Sequence, residues 1–255
     1  MFQNELEQLS KKFKENEKNS LDIDTIPKNK YLCIRMDGFK ATKKHLKDTL
    51  INKHFNYSLY KSNQMLFNSF KHYLTNEYAS SIICTFIVND EISIILGKDN
   101  NHKDSRKIMK LCTLFASTLS SATTLTLNKT KKQIGTIAFD ARPILLERSE
   151  INEYIRYRYL IAKRYAYWKV LRLNNIDNWK ENYIFKNIDN CINLTKEHHL
   201  ENEALQIIDT YKFYLPNKET NPQLNCLKVN KNNMEIQNID NKIHSYITYL
   251  NNSKI

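Results

Sequence analysis

Three carboxylates in this chain stand where strand-like runs stop. Tyr31 to Gly38, YLCIRMDG, is an apolar run that closes on Asp37 and Gly38. Ser81 to Leu96, SIICTFIVNDEISIIL, holds two β-branched runs joined by Asn89, Asp90 and Glu91, and short apolar runs around a small polar link spell a β-hairpin. A turn requires one polar residue that bonds its own backbone, not an Asp followed by a Glu between walls this hydrophobic. An isolated Asp-Glu pair reads as a solvated turn, but the second acidic strand end at Asp37 points to chemistry. Mg2+ prefers oxygen ligands and is commonly held by one or two carboxylates together with substrate phosphates. Carboxylates on adjacent strands can hold two such ions, which activate an attacking oxygen and steady the leaving one during displacement at phosphorus. Asp37, Asp90 and Glu91 are therefore candidate catalytic residues for metal-dependent phosphoryl or nucleotidyl transfer.

Such chemistry needs cations for the phosphates. Lys40, Lys43, Lys44, His45 and Lys47 follow Asp37 closely, and Arg106, Lys107 and Lys110 open a second basic cluster. Arg106 and Lys110 are one helical turn apart on the same face. Cations at a helix start oppose the macrodipole, and a bound triphosphate would relieve that conflict; a solvated basic face fits the spacing equally well. The chain has three glycines and neither GxGxxG nor GxxxxGK[ST], so no glycine-rich loop is available to cradle phosphate. A third group lies in Ile151 to Leu173, INEYIRYRYLIAKRYAYWKVLRL, where Tyr154, Arg158, Ile161, Tyr165 and Trp168 share a helical face among Arg156, Lys163, Arg164, Lys169 and Arg172. Aromatics at this spacing are usually core, whereas their interleaving with cations also suits stacking and phosphate contact with RNA.

The 255 residues can bury one large core or two modest ones. A formal net charge of +12, from 39 Lys and Arg against 27 Asp and Glu, points to a polyanionic partner, with nucleic acid first. An acidic membrane surface would suit the charge too, but no apolar run is long enough to span a bilayer and no signal-peptide pattern opens the chain. The expectation is a soluble cytoplasmic protein without a membrane partner. Cys33, Cys84, Cys112, Cys191 and Cys226 form no CxxC pair, which disfavours structural zinc and suggests reduced core thiols.

The elements that must position these residues can be read in order. Leu6, Leu9 and Phe13 predict an amphipathic lead-in helix within residues 1–28, broken at Pro27. A strand runs to Met36, a helix covers Phe55 to Leu74, the hairpin follows, Ser105 to Ser121 is helical around Ile108, Leu111, Cys112, Phe115 and Leu119, and a fourth strand spans Ile134 to Phe139. This is the split βαββαβ order of an α+β, ferredoxin-like, palm-type antiparallel sheet with its helices on one face. In that order the first and third strands are neighbours, so Asp37 meets Asp90. Residues 29–150 form the expected palm, and residues 151–255 a mainly helical, basic, RNA-contacting region. Within the latter we expect helices at Asn178 to Asn193, Glu201 to Tyr214 and Ile239 to Asn251, and a strand near Leu224 to Val229.

RMDG at Arg35 to Gly38, NDEISIIL at Asn89 to Leu96, RKIMK at Arg106 to Lys110, FDAR at Phe139 to Arg142 and YIRYR at Tyr154 to Arg158 resemble, in order and rough spacing, the tRNA-His guanylyltransferase family and its guanylyltransferase-like relatives. The resemblance implies a palm that adds nucleotides in the 3'-to-5' direction to tRNA or similar RNA. A nucleoside triphosphate (ATP or GTP) first activates the 5' end, and the 3'-hydroxyl of the incoming nucleotide then attacks it. It implies two Mg2+ ions on Asp37 and Asp90 with the Gly38 carbonyl, nucleotide contacts from Lys44, Asn89, Arg106, Lys107 and Lys110, RNA contacts from Arg156, Arg158, Lys163 and Arg164, and a homo-oligomer, tetramer or dimer. The chain departs from the family where Phe39 directly follows Gly38, where Asn89 replaces Ser, where FDAR replaces FDGR, and where Lys163-Arg164-Tyr165 stands in place of His-Ile-Asn. These departures favour templated 5'-end repair over strict guanosine addition to tRNA-His. An inactive RNA-binding palm and a palm enzyme making a small nucleotide are the alternatives.

Overall fold

Strand β1 (Tyr31–Gly38) is apolar on both sides for most of its length, which is the signature of a strand inside a sheet covered on both faces. The computed structural model describes residues 2–39, 82–88, 91–97, 107–131, 136–176, 187–208, 212–216 and 224–228. In it β1 lies between β3 (Glu91–Leu96) and β4 (Phe139–Leu146), and β3 pairs on its other side with β2 (Ile82–Val88). All these pairings are antiparallel, as expected for a palm. The sheet continues through β5 (Lys212–Pro216) and β6 (Leu224–Lys228), giving the order β4-β1-β3-β2-β5-β6.

Strand alternation divides β1 between two cores. Leu32, Ile34 and Met36 pack with Ile108, Leu111, Phe115 and Leu119 of α2 (Ile108–Lys131). Tyr31 and Cys33 face the opposite layer, formed by α1 (Phe2–Ser20), α3 (Glu150–Leu173), α4 (Ile188–Glu197) and α5 (Glu201–Ile208). The expected palm helix α2 thus holds one face, and the terminal helices hold the other. The helix expected over 55–74 lies outside the described residues, as do the basic cluster 40–47 and the helix expected over 239–251.

The lead-in helix is part of the core. Leu6 and Phe13 are buried, and the Phe13 ring stands edge-on to Tyr154 at 5.2 Å and stacks on Tyr157 at 5.5 Å. Asp189 of α4 caps it by accepting from the backbone N–H groups of Phe2 and Gln3 at 3.1 and 3.0 Å, which satisfies donors that a helix start leaves open. Helix α3 is buried on nearly every side because it lies among the sheet, α1, α4 and α5. An amphipathic stripe is therefore absent over its first half, and the aromatic spacing read as one face is one part of an all-round core.

Two expectations change. The fourth strand begins at Phe139, five residues later than the start predicted at Ile134, so Asp140, Ala141 and Arg142 lie within it. Pro143 also lies within it, and it is accommodated because β4 is an edge strand. In the C-terminal region helix α5 stops at Ile208, and Lys212–Pro216, KFYLP, is a strand; its aromatic residues extend the edge that β2 would otherwise leave open. The strand expected near Leu224 is present as β6. Helix α4 starts at Ile188 because the Asn187 side chain accepts from Asp189 N and Asn190 N at 2.9 and 3.2 Å.

Candidate active site

Strand register sets the site. On β1, Asp37 is directly opposite Glu91 of β3 on one side and Asp140 of β4 on the other. Residues opposite one another in an antiparallel pair share a face, so three carboxylates form one row across the end of the sheet. The next same-face row, two residues further in, reads Arg142, Arg35 and Ser93. An acidic row therefore stands in front of a basic one, on the face covered by α1 and α3.

Glu17 of α1 joins the two arginines. Its carboxylate accepts from Arg35 Nη2 and from Arg142 Nη1, both at 3.2 Å. Arg142 also donates from Nε and Nη2 to Asp140 Oδ2, each at 3.0 Å, and Asp140 first, then Glu17, hold its guanidinium charge more firmly than usual. Behind this row a cavity of about 100 Å³, lined by Lys14, Glu17, Arg35 and Arg142, separates α1 from the strands. It is too small for a nucleotide, since ligand pockets run to roughly 300 Å³ and above.

At the other end of the acidic row, Arg158 of α3 donates from Nη2 to Glu91 Oε2 in a close ion pair. Burial works against the arginine's charge, but Glu91 outweighs it and holds the proton more tightly than usual. One turn earlier on α3, the Tyr154 hydroxyl meets Ser93 Oγ at 3.1 Å. Burial raises the Tyr154 phenol well above its ordinary range and pushes the neighbouring Cys33 thiol up to about 12. Cys33, Cys84, Cys112 and Cys191 are all buried free thiols, as expected.

The candidate residues divide into three groups. Asp37 is exposed at the end of β1, with Gly38 paired to Phe139 beside it, and Glu91 lies opposite. Asn89 and Asp90, which link Val88 to Glu91, fall outside the described residues, as do Lys44 and Arg106. Among the described residues no three His, Cys, Asp or Glu side chains converge as a cation site. The Asp37 carboxylate and Gly38 carbonyl nevertheless supply the hard oxygen donors that Mg2+ prefers.

Lys107 and Lys110 are exposed, but they lie at the far end of the sheet. Lys107 bridges to Thr25 and Ile108 N donates to Asp24 O at 2.8 Å, whereas Ser120, later in α2, accepts from the N–H of Phe139, the partner of Gly38. At 1.5 Å per residue, Lys110 and Lys107 are about 15 and 20 Å from Ser120 along the helix axis. They stand at the start of α2, away from the Gly38–Phe139 pair, because βαβ connectivity starts the helix at the end of β3 remote from the hairpin.

The structure separates the four expected RNA-contacting residues by burial. Arg158 and Lys163 are 8% and 9% exposed, with Lys163 Nζ 4.3 Å from the Phe2 ring centre, so both are interior cations. Arg156 is half-buried and forms a two-point pair with Glu5 at 2.6 and 3.0 Å. Arg164 remains half-exposed on a stripe with Tyr165, Trp168 and the exposed Arg172. Residues that sequence reasoning missed are Glu17, Arg35 and Arg142. Their signal was available: Arg-x-Asp on β1 and Asp-x-Arg on β4 are mirror patterns, which antiparallel pairing superposes as two rows.

The profile of the family described as tRNAHis guanylyltransferase matches residues 10–147, more than half of the chain. Among solved structures, a bacterial tRNA-His guanylyltransferase-like protein in complex with ATP is similar at 15% identity, with 91% of this chain and 96% of that one covered and a TM-score of 0.66. The same description in complex with GTP gives 15% identity, the same coverage and a TM-score of 0.61. The tRNA-His guanylyltransferase of Saccharomyces cerevisiae gives 18% identity, 86% and 97% coverage and a TM-score of 0.52. No curated protein sequence matches the chain. No helix among the described residues is long and apolar enough to cross a membrane.

Proposed function

The chain belongs to the tRNA-His guanylyltransferase family, and from that premise we propose that it is a Mg2+-dependent enzyme that extends the 5' end of tRNA or a similar RNA in the 3'-to-5' direction, with 5'-end repair as its task rather than strict guanosine addition to tRNA-His. Nucleotidyl transfer follows from the family. The metal-site part of this reading rests on one observation above all, the Asp37–Glu91 register, which sets the end of β1 against the start of β3. The preference for 5'-end repair rests on the departures from the family pattern, Lys163-Arg164-Tyr165 above all. Two bacterial structures of this fold hold GTP and ATP, which supports nucleoside triphosphates as substrates here.

Asp37, the Gly38 carbonyl and Asp90 are the oxygen donors that would hold Mg2+. When bound, the ion lowers the pKa of an attacking hydroxyl and offsets charge on the phosphoryl oxygens. The protein's own contribution is positional and electrostatic. Asp37 is open to solvent, so an acceptor end can approach it. Arg35 and Arg142 form a positive layer directly behind the carboxylates, and Asn89, Lys44 and Arg106 are proposed to contact the nucleotide. Lys107 and Lys110, at the far end of α2, suit RNA backbone better than the reacting triphosphate. Arg164 and Arg172, beside half-exposed Tyr165 and Trp168, suit a stacked RNA strand. Such contacts predict binding that weakens steeply with salt.

The test is 5' extension of a truncated, monophosphorylated tRNA with Mg2+ and labelled nucleoside triphosphates, with Asp37→Ala in parallel. Template-matched extension by the native protein and none by Asp37→Ala, with an unchanged Tm, is the expected result. Extension that survives in Asp37→Ala would overturn the site. Addition of a single guanosine regardless of template would overturn repair in favour of the tRNA-His reaction.

A further inference from the structure

We infer that Arg158 is a positioning residue which fixes the carboxylate hairpin through Glu91, and that Glu91 is the held partner in this pair and not a group that touches the reacting atoms. The inference rests on the reaction site proposed above. Glu91 follows Asp90 directly in the chain and stands opposite Asp37 in register. Its side chain is 17% exposed and is engaged by a guanidinium whose side chain is 9% exposed. A carboxylate so engaged has its charge matched inside the protein.

The contact belongs to a two-point clamp. Tyr154 and Arg158 are four residues apart on α3, a rise of about 6 Å. Their partners Ser93 and Glu91 are two residues apart on β3, about 6.8 Å. The spacings agree, so one helix face grips two successive same-face residues of the strand that leads out of the hairpin. The Arg158 guanidinium also lies 5.3 Å from the Tyr157 ring centre, which restricts its rotation. A buried ion pair is a poor source of stability compared with well-packed apolar side chains of similar volume. Directionality is what it supplies: the Glu91 carboxylate has one place to go, and the start of β3 is fixed with it. Apolar packing would fill the same space without fixing that angle.

Arg158→Met alone leaves Glu91 buried without a counter-charge and lowers Tm, so it does not separate positioning from folding. The informative variant is the double Glu91→Met, Arg158→Met, which keeps volume and removes both charges. Its Tm is expected to return to within a few degrees of the native value. Amides of β2 and β3 nearest the hairpin should nevertheless exchange at least tenfold faster. In the extension assay kcat should fall at least tenfold, while KM for the triphosphate stays within threefold. Native exchange protection at the hairpin together with native kcat in the double variant would overturn the proposal and make the pair a replaceable piece of core. If the native protein extends no RNA, the reaction reading has failed, and the exchange measurement alone decides whether Arg158 fixes the hairpin. A loss in Glu91→Gln as complete as in Asp37→Ala, with native exchange, would overturn the assignment of Glu91 and make it a catalytic residue.

Discussion

Glu17→Gln tests the layered charge arrangement. The substitution keeps size and removes one charge from between Arg35 and Arg142, which stand directly opposite each other on β1 and β4. Arg35 and Glu17 have side chains 17% and 16% exposed, whereas Arg142 is 49% exposed. Two like charges about 6 Å apart repel by roughly 3 kcal/mol at an effective dielectric constant of 20. Solvent around Arg142 reduces this to about 1 kcal/mol. A charged hydrogen bond lost from Arg35 adds roughly 1.5 kcal/mol. The expected cost is therefore about 2 to 2.5 kcal/mol, which lowers Tm by roughly 4 to 10 °C in a chain of this size. Urea unfolding with linear extrapolation measures it directly. Two companion measurements identify the cause: salt should narrow the difference between variant and native protein, because screening weakens the exposed repulsion, and Glu17→Gln with Arg35→Met should cost less than Glu17→Gln alone. A cost below about 0.5 kcal/mol, the range of ordinary surface substitutions, or a double variant as destabilised as the sum of its parts, would refute Glu17 as the link between the two arginines.

Three further outcomes are expected. Phe13→Ala should cost about 3 to 5 kcal/mol in urea unfolding, the range for a buried Phe truncated to Ala, since Phe13 is 1% exposed against Tyr154 and Tyr157; a cost under 1 kcal/mol would mean that α1 docks only loosely. Alkaline pH should destabilise the fold. Cys33 titrates near 12 and Cys112 near 11 when folded, against 9.0 when free, so the folded state retains protons that the unfolded chain releases. Stability is full below pH 9 and falls above it, by about 1.4 kcal/mol per pH unit for each buried thiol; a flat urea midpoint between pH 8.5 and 10 would contradict this. Finally, Lys107→Ala with Lys110→Ala should leave KM for the incoming triphosphate within threefold, and a tenfold rise would refute the separation of these lysines from Asp37.

Much of the palm was legible because its information is local. Apolar runs with β-branched residues predicted β1, β2 and β3, and the βαββαβ order predicted that β1 and β3 would pair. The position of α2 followed from Ile108, Leu111, Phe115 and Leu119, and the ends of α3 were read to within a residue. Local reading failed where a neighbour decided the outcome. Pro143 reads as a strand breaker until β4 proves to be an edge. KFYLP reads as the end of a helix until β2 offers it an unpaired strand.

For the candidate site, the sequence by itself determined which residue types stand at strand ends, Asp37 and the Asp90–Glu91 pair, because alternation and turn chemistry depend on residues a few positions apart. The family motifs lie on these same positions. Tertiary structure alone decided what each charge faces. Arg158 and Lys163 look like surface cations in a basic helix, yet they are interior because four elements surround α3. Glu91 reads as a catalytic carboxylate, yet it is paired with Arg158, a residue 67 positions away. Arg35 and Arg142 look unrelated until antiparallel register aligns them over Glu17. Residue type fixes the sign of a charge, but burial and the partner across the fold fix whether that charge binds substrate or binds the protein to itself.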